Sequence, residues 1–166
     1  QKPEFSRRVP RDLEQALNNR MKFRNVSFFL SCLFLTITLL FISRDAIARF
    51  AWSFNQNPVT ASFVLKLSHN DPATLFDVGN YFFNGGAYDL EIAKKAYQKA
   101  LSIKPSLKGA HHQLARIAFV QKNSYIALKE VNKELKRDPS NLHSVYVRAL
   151  IYGFANDFRR SEQDFT

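Results

Sequence analysis

The segment AKKAYQKALSIKP at residues 93–105 is echoed by ALKEVNKELKRDP at residues 127–139. In both, a small residue (Ala93, Ala127) is followed four positions later by a larger apolar one (Tyr97, Val131). Leu101 and Leu135 come next, and a proline closes each copy. A third copy opens at Ser161 with Phe165 four residues on. Working backwards, each copy is preceded by a small residue after a longer one: Val78-Gly79, Leu114-Ala115 and Arg148-Ala149. Three positions further lie Phe82, Ala118 and Tyr152. Pro72, Pro105 and Pro139 fall 33 and then 34 positions apart. Internal periods of this length mark arrays of helical hairpins.

The pattern resembles the tetratricopeptide repeat (TPR), W-x2-L-G-x2-Y…A-x3-F…P, over residues 72–166. Departures are the loss of the usual tryptophan (Leu75, His111 and Val145 stand there), Glu134 where a small residue is usual, and altered spacing around Gly79 and Leu90–Ile92. The resemblance implies an all-α solenoid in which small residues sit where the two helices of a hairpin approach. It also implies that each proline opens the next helix, where a missing N–H costs nothing. Helices are expected at about 72–84, 88–102, 106–121, 124–136 and 140–155, with another starting near 158. Asp71 and Asp138, each before a proline, are candidate caps. Val59, Phe63 and Leu67 are spaced for a further helix over 58–68, covering the end of the array.

Ahead of the repeats, residues 25–43 read NVSFFLSCLFLTITLLFIS, without a charge between Arg24 and Arg44. Nineteen helical residues span about 28 Å, close to a bilayer core of about 30 Å. Ser27, Ser31, Thr36 and Thr38 are tolerable because hydroxyls can bond to carbonyls of the preceding turn. Ala46-Ile47-Ala48 looks like a signal-peptide cleavage site. The long apolar run, the intervening Arg44 and Asp45 and the tail of 24 residues argue for retention instead. The leading side carries Arg7, Arg8, Arg11, Arg20, Lys22 and Arg24. The trailing side has only Arg44 and Arg49 before Lys66. This bias predicts a cytoplasmic tail and a repeat region outside the cytoplasm. Leu13, Leu17 and Met21 recur every four residues in that tail, as in a basic helix at a headgroup surface, although a solvated polar tail reads equally well. Beyond the apolar run, Ile47, Phe50, Ala51 and Phe54 share a helical face. Phe50 and Trp52 suit an interfacial aromatic belt, and Asn57-Pro58 signals a stop and restart.

The expected organisation is a basic tail at 1–24, a transmembrane helix at 25–43, juxtamembrane and capping helices at 44–70, and TPR-like repeats at 71–166, the third one cut short. The chain has 166 residues, starts at Gln1 and stops within a helical pattern at Thr166, so it reads as a piece of a longer protein.

The formal charge is +10, which alone would allow a nucleic-acid partner. A cluster of Lys94, Lys95, Lys99, Lys104 and Lys108 is accounted for by a solvated helix face, and no nucleic acid is expected. Cys32 lacks a second cysteine to pair with. His111 and His112 are adjacent and point about 100° apart on a helix, which does not suit a metal. There is no Gly-rich phosphate loop and no legible nucleophile–base set, so neither an enzyme nor a cofactor is expected. The resemblance implies a concave binding face lined by Asn80, Asn84, His112, Gln113, Arg116, His143, Tyr146 and Leu150. There the amides would hold an extended backbone and Arg116 a carboxylate. The expected role is a membrane-anchored scaffold for a protein or peptide partner, with membrane lipid as its other contact. The alternative is the anchor and repeat region of a larger enzyme, such as a transferase, whose catalytic domain follows residue 166.

Overall fold

A computed structural model describes residues 11–165, and the side chains of residues 26–39 and 43–165. Residues 1–10 of the expected tail at 1–24, and the side chains of Leu13, Leu17, Met21 and their basic neighbours, lie outside the described residues. All regular structure among the described residues is helical. Contacts divide the chain at Ser43/Arg44.

Helix α1 runs from Arg11 to Phe54. Its stretch Val26–Phe54 is long and apolar enough to cross a membrane, and the most apolar window buries nothing against protein. The hydroxyls of Thr36 and Thr38 donate to the carbonyls of Leu33 and Leu35, each at 2.8 Å, so neither is left unsatisfied in an apolar surrounding.

Residues 44–54 complete α1 and belong to the folded unit of residues 44–166. It continues with α2 (Pro58–Leu67), α3 (Pro72–Phe83), α4 (Leu90–Ile103), α5 (Ala110–Val120), α6 (Ser124–Arg137), α7 (Leu142–Phe154) and α8 (Phe158–Phe165). Helices α3 and α4, α5 and α6, and α7 and α8 pair as hairpins. Each hairpin packs on the next through α4 with α5 and α6 with α7, while α2 covers α3 and α4.

Starts and stops follow local chemistry. Asn57 and Asp71 cap α2 and α3, each with a proline in the first turn, and Asp89, Asn123 and Asn141 cap α4, α6 and α7. Pro105 and Pro139 do not open helices. They sit in turns, and α5 and α7 begin at Ala110 and Leu142. Gly109, at φ 80°, supplies the left-handed residue that turns the chain into α5. Asp138 ends α6 and accepts from the Ser140 hydroxyl, and Asn141 does the capping expected of it.

One core cluster joins Ala48 and Trp52 to Leu75, Val78, Phe82, Ala96, Tyr97 and Ile117. A second joins Ala115, Ala127, Val131, Val147 and Ile151. Full burial of an aliphatic or phenyl side chain contributes about 1.5–3 kcal/mol. Trp52 is thus a core residue, 5% exposed, with its ring edge-on to Tyr81 at 5.5 Å, and it is not part of an aromatic belt. Lys99 is not a solvated lysine either: its ammonium donates to the Leu65 carbonyl in the last turn of α2.

The end of α1 is clasped to the α2–α3 corner. The Asp45 carboxylate accepts from the amides of His69 (2.7 Å) and Asn70 (3.1 Å), and Arg49 donates to Asp71 at 2.9 Å. Burial by itself would raise the Asp71 carboxyl. Hydrogen bonds from the Thr74 hydroxyl and amide and from Arg49 outweigh it and hold Asp71 below the usual carboxylate range. A depressed pKa stabilises the fold above the unfolded value, and that contribution is lost as pH falls through the folded one. Asp71→Asn is therefore expected to destabilise at neutral pH and to approach the parent chain as the pH drops below the ordinary range for aspartate. Thermal melts recorded across pH 2–7 would show the two curves converging on acidification.

Candidate functional site

Helices α3, α5 and α7, with the loop leading into α4, enclose an open concavity of about 790 Å³. Of the residues expected on a binding face, His112, Arg116, His143, Tyr146 and Leu150 line it together. Asn80, Asn84 and Gln113 do not. They form a hydrogen-bonded string beside it: Tyr97 Oη donates to Asn80 Oδ1 at 2.8 Å, Gln113 Nε2 to the same oxygen at 3.4 Å, and Arg116 Nη1 to Gln113 Oε1 (2.8 Å) and Asn84 Oδ1 (3.0 Å). Asn80 and Gln113 are thereby committed to holding other side chains in place.

Arg116 is the charged centre of the concavity. Its guanidinium lies 4.8 Å over the Phe83 ring and is braced by two neutral amides, and no carboxylate among the described residues pairs with it. A guanidinium held over a ring and braced by two amides offers its remaining N–H donors as a fork suited to a carboxylate. His112 lies close by, its Nδ1 3.1 Å from Ser144 Oγ and its ring 6.4 Å from that of His143. Burial, followed by the charge of Arg116, pushes its pKa down against the opposing pull of Glu134, so this imidazole is neutral at pH 7.

The walls are apolar. Phe83, Tyr88, Leu90, Phe119, Val120 and Val147 complete the lining, and all six were missed from sequence. A usable signal existed for part of the set: Phe119 and Val120 lie three and four residues after Arg116, on the same helical face. Tyr88 reaches the rim from a loop that needs left-handed backbone at Gly86 (φ 94°) and at Tyr88 itself (φ 48°).

Glu134 breaks the repeat pattern because it has a different task. Only 1% exposed, its carboxylate accepts from the amides of Gly109 (2.7 Å) and His112 (3.4 Å) at the start of α5. Gly109 has no side chain with which to cap that helix, so α6 supplies the acceptor. Since the same bonds set where His112 and Arg116 begin their helix, Glu134→Ala is expected to cost about 1.5–3 kcal/mol, as for hydrogen bonds to a charged group. Chemical denaturation should show the loss, with Glu134→Gln falling in between.

A second cavity, of about 390 Å³, is lined by residues of α4, α5 and α6 and contains the His111–Glu130 pair, Nδ1 to Oε2 at 2.6 Å. It contains no residue expected on the binding face. Among the described residues, no group of three or more His, Cys, Asp or Glu is placed to hold a metal ion. The chain matches no protein-family model and no curated protein.

Proposed function

We propose that this chain is a single-pass membrane anchor presenting a short TPR-like solenoid, whose concave face captures an extended acidic segment of a protein partner. The observation that carries the reading is the pairing, in one open concavity, of apolar walls with a braced guanidinium that pairs with no carboxylate among the described residues. Such a surface rewards a peptide that brings an acid beside an aromatic or aliphatic side chain. The proline period and the succession of three stacked hairpins support the TPR-like assignment.

Selection from a random peptide library against the full chain in lipid nanodiscs tests this. Enriched peptides are expected to carry Asp or Glu next to an aromatic or branched residue, and to lose enrichment against Arg116→Ala. Enrichment of sequences without acids would overturn the proposal.

We also infer, from the six-to-two bias of basic residues, that residues 44–166 lie outside the cytoplasm. Lys95, exposed on α4, is a suitable reporter. In a Cys32→Ser background, Lys95→Cys is expected to react with a membrane-impermeant thiol reagent in intact cells or spheroplasts. Labelling only after lysis would reverse the topology.

A further inference from the structure

The apolar stretch Val26–Phe54 has 29 residues. That is more than the roughly 20 helical residues needed to cross a hydrocarbon core. The surplus falls on residues 44–54, whose faces differ in what they meet. One face carries Ala48 and Trp52, buried in the core, together with Asp45 and Arg49, bonded to residues 69–71. The other carries Ile47, Phe50 and Phe54, spaced i, i+3, i+7 and 50%, 70% and 84% exposed, with the two phenyl rings stacked at 6.4 Å. Apolar area left in water forgoes about 25 cal/mol per Å², so three large side chains on one face call for a cover. Continuity with the membrane-crossing stretch of the same helix identifies that cover.

We propose that Ile47, Phe50 and Phe54 form a lipid-binding face seated in the headgroup–acyl boundary of the bilayer that holds the anchor. Phenyl and branched side chains on one helical face suit that layer, as they do in helices lying at membrane interfaces. The proposal rests on the membrane reading of α1 and is independent of the groove.

The full chain in liposomes tests it, using an environment-sensitive fluorophore on single cysteines. Native Cys32 reports the anchor. Phe50→Cys and Phe54→Cys, each in a Cys32→Ser background, report the face. Tyr125→Cys on α6, where the native side chain is exposed, reports water. Phe50 and Phe54 are both exposed, so these substitutions leave the core intact. Labels at 50 and 54 are expected to lose most of their emission to lipids brominated on the acyl chains and little to aqueous iodide, with the reverse at 125. Iodide quenching at 50 and 54 equal to that at 125, with Cys32 still quenched by bromolipid, would overturn this face while sparing the anchor. Failure at Cys32 would remove the anchor and this proposal together. Excimer emission from pyrene at position 54 that persists on dilution into excess lipid would assign the face to a second copy and overturn the lipid proposal.

Discussion

Gly79→Leu is expected to lower the stability of the helical domain by about 3 kcal/mol, the upper part of the range for overpacked cores. A Cβ at residue 79 would lie 2.6 Å from Tyr97 Cε1 and 2.7 Å from its Cζ, well inside van der Waals contact. The ring has no room to yield. Tyr97 is fully buried, meets Phe76 edge-on at 5.3 Å, and donates its hydroxyl to Asn80 at 2.8 Å. The helix-propensity gain on replacing glycine, about 1 kcal/mol, is too small to compensate. For a domain of this size the loss corresponds to a melting midpoint lower by roughly 10 °C, readable by circular dichroism in detergent. Tyr97→Ala alone should cost about 3–5 kcal/mol by leaving a cavity. Combined with Gly79→Leu it should cost markedly less than the sum, because the leucine fills space that the ring vacates. An unchanged midpoint for Gly79→Leu would mean that α3 and α4 do not meet there.

For the groove, Arg116→Ala is expected to weaken capture of an acidic peptide about 10- to 150-fold, the equivalent of removing a charge-assisted hydrogen bond worth roughly 1.5–3 kcal/mol. Arg116 lies on α5, within the middle hairpin, and its charge, after burial, pushes the pKa of the neighbouring His112 down. Arg116→Lys keeps the charge but loses the planar fork, so it should recover only part of the affinity. The comparison residue is Lys129, exposed on α6. Lys99 does not serve, because its ammonium is spent on the end of α2. Lys129→Ala should leave the affinity unchanged. Equal losses at 116 and 129, both abolished by salt, would make the attraction diffuse and refute a groove contact. Fluorescence anisotropy with a labelled peptide from the library selection provides the measurement.

Which features were legible in the sequence follows from their range. Helix succession was readable because proline spacing and small-residue positions are local. Even so, Pro105 and Pro139 were misplaced by a few residues, since a proline fits a turn as well as a first helical position. Trp52 was misassigned because a helical stretch rich in aromatics does not reveal which face meets protein. Ala48 and Trp52 point one way, Ile47, Phe50 and Phe54 another. Glu134 looked like a defect in the pattern because its partners, the amides of Gly109 and His112, lie 25 and 22 residues away. On the proposed binding face, polar positions were identifiable, whereas Phe83, Phe119 and Val147 read as ordinary core, and only tertiary packing turns them toward an opening.

The clasp at the end of α1 bears on the order in which the chain is assembled. Asp45 and Arg49 find their partners 22 to 25 residues later, and the α5 cap closes over 25. The bond from Lys99 to Leu65 reaches back 34, and that from His112 to Ser144 forward 32. At a synthesis rate of about 5–20 residues per second, each tie can close roughly 1–7 s after its first half emerges. Each hairpin can therefore be sewn to the one before it while the next is still being made, and the end that follows the apolar stretch is fastened first.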